Sequence, residues 1–113
     1  MFYYDRQGNR ITRYEWAAIY SDSAYRIIRQ EKIGHPRTKW LSTVWLGLDH
    51  SYLLNEPKRP VIFETMLFNK GKWLELGMWR YSTEEDARTG HMILSERYRY
   101  NRKQRRRRHP RKE

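Results

Sequence analysis

Four side chains in the middle of this sequence are of types that do chemistry: Asp49, His50, Glu64 and His91. Two imidazoles and two carboxylates form a donor set that could hold a divalent metal and activate water. The same groups could work as a general acid–base pair. Glu64 is the sharpest of the four. It lies inside Val61-Ile62-Phe63-Glu64-Thr65-Met66-Leu67-Phe68, on the face shared by Ile62, Met66 and Phe68. A carboxylate there is costly unless it is paired. The plainer reading is a structural hydrogen-bonded cluster, or a Glu64 that meets solvent or Arg80. The spacing matches no HExxH, phosphate-binding glycine loop, GxSxG or calcium loop. No catalytic residue, metal or cofactor is therefore assigned. Cysteine is absent, which excludes disulfides, thiolate zinc sites and cysteine nucleophiles.

A second set of residues is chemically pointed in another way. The 113-residue chain has 24 Lys plus Arg against 13 Asp plus Glu, a net charge of +11. From Arg97 onward there are ten basic residues and one acidic one, a net of +9, which leaves +2 for residues 1–96. The ten are Arg97, Arg99, Arg102, Lys103, Arg105, Arg106, Arg107, Arg108, Arg111 and Lys112. Such a segment has no apolar surface to offset chain entropy, and its charges repel until a polyanion neutralises them. Eight of the ten are arginine, whose guanidinium grips phosphate with two bonds and stacks on bases. Tyr98 and Tyr100 interleave with them and can stack as well. Nucleic acid, DNA or RNA, is the partner this composition favours, ahead of an acidic protein surface, a membrane surface or a merely solvated tail. No zinc-finger spacing, leucine zipper or RNP motif points to sequence-specific reading. Contacts would fall mainly on phosphates and weaken steeply with salt.

Elements must position these groups. Phe2-Tyr3-Tyr4 reads as a short strand, and Gly8-Asn9 as a turn. Thr12 with Glu15 matches a capping box and starts a helix. Ala24 to Lys32 fits either a strand or a second short helix. Trp40 to Leu48 is a strand, with Val44, Leu46 and Leu48 on one face and Thr43, Trp45 and Gly47 on the other. Asp49-His50 falls at its end. Val61 to Phe68 is apolar on both faces, as a central strand should be. Asn69 to Lys72 makes a turn into a third strand, Trp73 to Tyr81. Ser82 with Glu85 is a second capping box. Glu84, Glu85 and Asp86 place negative charge where a helix dipole favours it. That helix runs to Tyr98, with Ala87, Gly90, His91, Leu94 and Tyr98 on one face. Helix and strands packed together could make Asp49, His50, Glu64 and His91 converge. Five Trp and nine Tyr supply core area in a domain of limited size.

Several of these segments together resemble a family of small uncharacterised proteins from actinobacterial phages. They are Ser42-Thr43-Val44-Trp45-Leu46-Gly47-Leu48-Asp49-His50, Ile62-Phe63-Glu64-Thr65-Met66, Arg80-Tyr81-Ser82-Thr83-Glu84, and Ala87 through Gly90-His91. Tyr4-Asp5-Arg6-Gln7-Gly8-Asn9 with Glu15-Trp16 fits as well. The resemblance covers roughly residues 2–95, and the arginine tail departs from it. It implies a phage gene expressed in the cytoplasm of a bacterium, and it brings no activity with it.

The expected fold is α+β: a small mixed or antiparallel sheet of three to five strands with two helices, the C-terminal one packed on the sheet. Residues 1–98 form the domain and 99–113 the basic tail. There is no apolar run of membrane-spanning length and no signal peptide at the start. The leading functional expectation is a phage accessory protein that binds nucleic acid non-specifically through its tail. The first alternative is a protein-binding inhibitor of a host or antiphage-defence factor, which predicts an exposed apolar patch including some of Trp40, Trp45, Trp73 and Trp79. The second is a metal-dependent hydrolase or nuclease using Asp49, His50, Glu64 and His91. That alternative fails if Glu64 and His91 lie on opposite faces of the sheet.

Overall fold

The computed structural model describes residues 2–34, 37–50, 59–71 and 74–99. The chain is α+β. Two short strands, β1 (Tyr3–Tyr4) and β2 (Arg10–Ile11), pair around a tight turn. In that turn the Asp5 carboxylate accepts from the Gln7 and Asn9 amides at 3.0 and 2.9 Å. Gly8 supplies a φ of +88°, which a residue without Cβ adopts at no steric cost. Helix α1 (Arg13–Tyr20) opens on the Thr12–Glu15 capping box, with both reciprocal bonds present.

The stretch from Ala24 to Lys32 resolves into both of its expected forms. Asp22 caps a single helical turn, α2 (Ser23–Arg26), and the backbone becomes extended at Ile27 to begin β3 (Ile27–Ile33). Among the described residues the helices therefore number three rather than two, the extra one being the single turn α2. β4 (Lys39–Trp45), β5 (Phe63–Asn69) and β6 (Leu74–Tyr81) follow. The four strands form an antiparallel meander in the order β3-β4-β5-β6. β4 is shorter than its apolar run suggests. Gly47 turns the backbone to φ +74°, so the alternation expected for Leu46 and Leu48 ends at Trp45.

Helix α3 (Glu84–Tyr98) packs across the sheet. Its N-cap is Thr83, whose hydroxyl accepts from the Asp86 amide at 3.1 Å. The capping pair is thus one residue later than the Ser82–Glu85 spacing predicts. Tyr81 still belongs to β6, paired with Phe63, and Thr83 itself is extended. Glu84, Glu85 and Asp86 occupy the first turn as expected. Glu84 also receives two bonds from the Arg6 guanidinium, at 2.8 and 2.6 Å, tying the first turn of the chain to the start of α3.

All three helices lie on one side of the sheet. Alternation sends Leu41, Thr43 and Trp45 of β4 and Phe63, Thr65 and Leu67 of β5 to that side, all buried. Two apolar clusters result. Trp45, Phe63, Ile28, Ile62 and Ala87 gather Trp16, Tyr20 and Tyr25 of α1 and α2 at one end. Ile33, Leu41, Leu67 and Leu94, with Trp79 and Tyr98, form the other. Among the described residues, no helix is long and apolar enough to cross a membrane.

Candidate functional site

Between the two apolar clusters runs a polar belt built from one residue of each strand of the four-stranded sheet and one of α3. Thr43 and Thr65 face each other across β4 and β5, and His91 drops onto them from α3. The Thr43 and Thr65 hydroxyls are 2.6 Å apart. Thr43 Oγ1 is 2.6 Å from His91 Nδ1, and His91 Nε2 is 2.8 Å from Glu31 Oε1 on β3. The Tyr81 hydroxyl on β6 completes the row beside Thr65.

Proton counting fixes the direction of every bond. An ionised carboxylate only accepts, so His91 Nε2–H donates to Glu31. A neutral imidazole then has an acceptor at Nδ1, and Thr43 donates to it. Thr43 can then only accept from Thr65, which uses the Thr65 hydroxyl proton. Burial holds His91 below the ordinary imidazole range, and the Arg29 charge adds to this. Together they outweigh the pull of Glu31. Glu31 itself is held below the usual carboxylate range: burial raises it, but Ser95, His91 and Arg29 together lower it further.

A pH dependence follows. The folded state keeps His91 neutral where the unfolded chain, with an ordinary value near 6.5, takes up a proton. Stability is therefore level above that value and falls as pH drops through it towards the lower folded value. Glu31 adds a second loss below 4.5. Urea midpoints measured from pH 8 to pH 4 should show this decline, and the part just below 6.5 should vanish in His91→Leu.

In connectivity, Thr43–His91–Glu31 is a hydroxyl–imidazole–carboxylate triad. Its burial argues against catalysis, since Thr43 and His91 are both 0% exposed. A nucleophile must meet its substrate, and this one lies beneath α3. The arrangement orients α3 on the sheet.

The four candidate residues do not converge. Alternation along β5 sends Thr65 to the helix side and Glu64 to the opposite face, so Glu64 and His91 are separated by the sheet. Glu64 pairs there with Arg80, its register partner on β6, at 3.0 Å. Asp49 accepts from the Val61 amide at 2.9 Å. His50 Nδ1–H donates to the Leu48 carbonyl at 2.8 Å, so both close the turn that follows β4. Among the described residues, no cluster of three His, Asp or Glu could hold a metal. The hydrolase or nuclease reading built on Asp49, His50, Glu64 and His91 is therefore set aside.

Composition could have flagged the belt that was missed. Thr43 and Thr65 are the polar members of otherwise apolar inward rows, Leu41-x-Thr43-x-Trp45 and Phe63-x-Thr65-x-Leu67. Glu31 could not be placed, because its partner lies sixty positions away.

Two of the ten basic groups, Arg97 and Arg99, lie at the other end of α3. Tyr98 packs against Trp79, with ring centroids 6.5 Å apart. Arg97 and Arg99 are exposed on the last turn, and Arg99 reaches Glu96 at 3.4 Å. Arg102, Lys103, Arg105, Arg106, Arg107, Arg108, Arg111 and Lys112 lie outside the described residues. Comparison of the chain with known protein families, curated proteins and solved structures finds no match.

Proposed function

We propose that this chain is a phage accessory protein that binds nucleic acid without sequence preference, using its arginine-rich tail as the arm and the α+β domain as the anchor. One observation carries the reading: ten of the 24 basic residues follow from Arg97, at the end of a helix whose last turn is held by Tyr98 on Trp79. The arm is thus tethered at a fixed point, while the domain contributes little net charge. A bacterial cytoplasm is the compartment this implies.

The test is fluorescence anisotropy with labelled DNA and RNA across a salt series. The unaltered chain is compared with one carrying serine at Arg102, Arg105, Arg106, Arg107, Arg108 and Arg111. Engaging about five phosphates gives a log–log slope of about −4 to −5 on duplex DNA. The substituted chain should lose most of its affinity and most of that slope. Equal binding by both chains refutes the proposal.

A second reading, inhibition of a host or antiphage-defence protein, is favoured by α3's outer face, where Met92 and Ile93 are 63% and 55% exposed. Of the tryptophans first considered for a contact patch, Trp45 is sealed, Trp40 and Trp79 are half-buried, and Trp73 lies outside the described residues. A chain that binds neither DNA nor RNA would leave this reading in place.

A further inference from the structure

The sheet's second face is built differently from the one under the helices. Cross-strand register sets it out in rows: Lys32, Trp40, Phe68 and Glu75 in one, Gln30, Ser42, Met66 and Met78 in the next, then Val44, Glu64 and Arg80. The side chains of α1, α2 and α3 that pack on the sheet all meet its other face, around Trp45 and His91. Trp40, Val44, Met66 and Phe68 are only half-buried, and Met78 is exposed.

The first row ends in an unusual pairing. Lys70 directly follows β5, and its amide donates to the Thr38 carbonyl at 2.8 Å. The Lys32 ammonium is near enough to bear on its charge. Desolvation and this neighbour hold Lys70 below the usual lysine range. Among the described residues, neither lysine has a carboxylate partner. Two like charges brought together at the edge of an aromatic row oppose folding, and an anion between them would relieve the repulsion. Arg37 and Lys39 belong to the same hairpin end.

This is also the end from which the tail departs. Tyr98 sits in the cluster of Ile33, Leu41 and Leu67, and Ile33 pairs with Lys39, which pairs with Asn69. Residues 100–113 are 14 in number, a length that can extend to about 45 Å. That is several times the ~10 Å spacing of packed layers, so the arm can reach round to the second face.

We propose that this face, with Lys32 and Lys70 gripping a phosphate and Trp40 offering its ring to a base, is a platform for single-stranded nucleic acid. The proposal rests on the nucleic-acid reading above. A single strand presents phosphates and stackable base faces together, whereas a duplex keeps its bases stacked inside. The tail raises the local concentration of any strand it holds. Tail and platform then act on one strand.

Full-length variants test it with a labelled oligothymidine and a matched duplex, titrated across salt. Lys32→Ser with Lys70→Ser should flatten the single-strand salt slope by about 1.4, at about 0.7 per lost phosphate contact. Trp40→Ala should weaken single-strand binding by about 5- to 100-fold while duplex binding stays within about twofold, and Trp40→Phe should retain most of the affinity. Circular dichroism monitors folding. If Trp40→Ala unfolds, Trp40→Phe and the lysine pair decide. Wild-type binding by all these variants, together with loss in the tail-substituted chain, overturns the platform and leaves the tail as sole contact. Equal weakening on single strand and duplex also overturns it. If the unaltered chain binds neither nucleic acid, the functional reading itself falls, and the platform with it.

Discussion

Replacing His91 by alanine should remove about 3–4 kcal/mol of stability and lower the melting temperature by about 15–25 °C. Two costs combine. The missing ring leaves a cavity between the apolar clusters, where Ala87 and Leu94 hold the helix too close to the sheet for easy collapse. It also orphans the Thr43 hydroxyl, which is 0% exposed, and removes the partner of a partly buried Glu31. Buried polar groups stripped of partners cost more than the bond they made was worth. Thr43→Val and Thr65→Val added to His91→Leu should therefore recover most of the loss, because the fully buried middle of the belt becomes apolar while Glu31 keeps some exposure to water. Calorimetric melts of the single and triple variants decide this. A cost below about 1 kcal/mol for His91→Ala would mean that water already serves the belt.

Gly47→Ala should be as damaging for a different reason, at about 2–5 kcal/mol. Its φ of +74° disfavours any side chain. The new Cβ would also stand 2.5 Å from the Trp16 indole and 2.6 Å from Trp45. Neither ring can yield easily. Trp16 Nε1–H donates to the Leu46 carbonyl at 2.9 Å, with Tyr3 and Tyr20 on either side, and Trp45 is fully buried. Gly8→Ala is the matched control. Its φ is +88°, yet nothing lies within 4 Å of the added carbon, so only the backbone term of about 1 kcal/mol remains. Urea unfolding of the two variants should separate backbone strain from collision. Similar losses at both positions would show that Trp16 moves aside.

The parts of the fold legible in the sequence were those set by local rules. The capping box at Thr12 and Glu15 depends on four adjacent residues and stands as read. The inward face of α3 follows from 3.6-residue spacing, which placed Ala87, His91 and Leu94 correctly. The β5–β6 hairpin and the central character of β5 follow from composition and a short turn. Boundaries fared less well where two elements share residues. Ala24 to Lys32 looked ambiguous because a capped turn runs directly into a strand. The start of α3 slipped by one residue because serine and threonine are adjacent and either can cap.

The site was legible only in part. Period-two alternation made the question of Glu64 and His91 well posed, and the strand register answered it against convergence. Arg80 was one of the outcomes the sequence left open for Glu64, beside solvent and a hydrogen-bonded cluster, and the register selects it. The belt was not, because Glu31, Thr43, Thr65 and Tyr81 come from four strands whose registers arise from long-range pairing. Net charge is silent on placement: only the register puts Lys32 in one row with Trp40 and Phe68.

The meander carries a kinetic consequence. Each strand of the β3-β4-β5-β6 order pairs with the one made just before it, so strand closures are short apart from the connection between β4 and β5. Such topologies fold quickly for their strand content. During synthesis the sheet can assemble as the ribosome delivers it, while α3 is still to come. Until α3 arrives, Thr43 and Thr65 are exposed to water, which satisfies both hydroxyls. Docking of the last helix then exchanges that water for His91. The histidine is the final check on assembly, and a nascent chain truncated before it should stay soft, solvated and open to proteases.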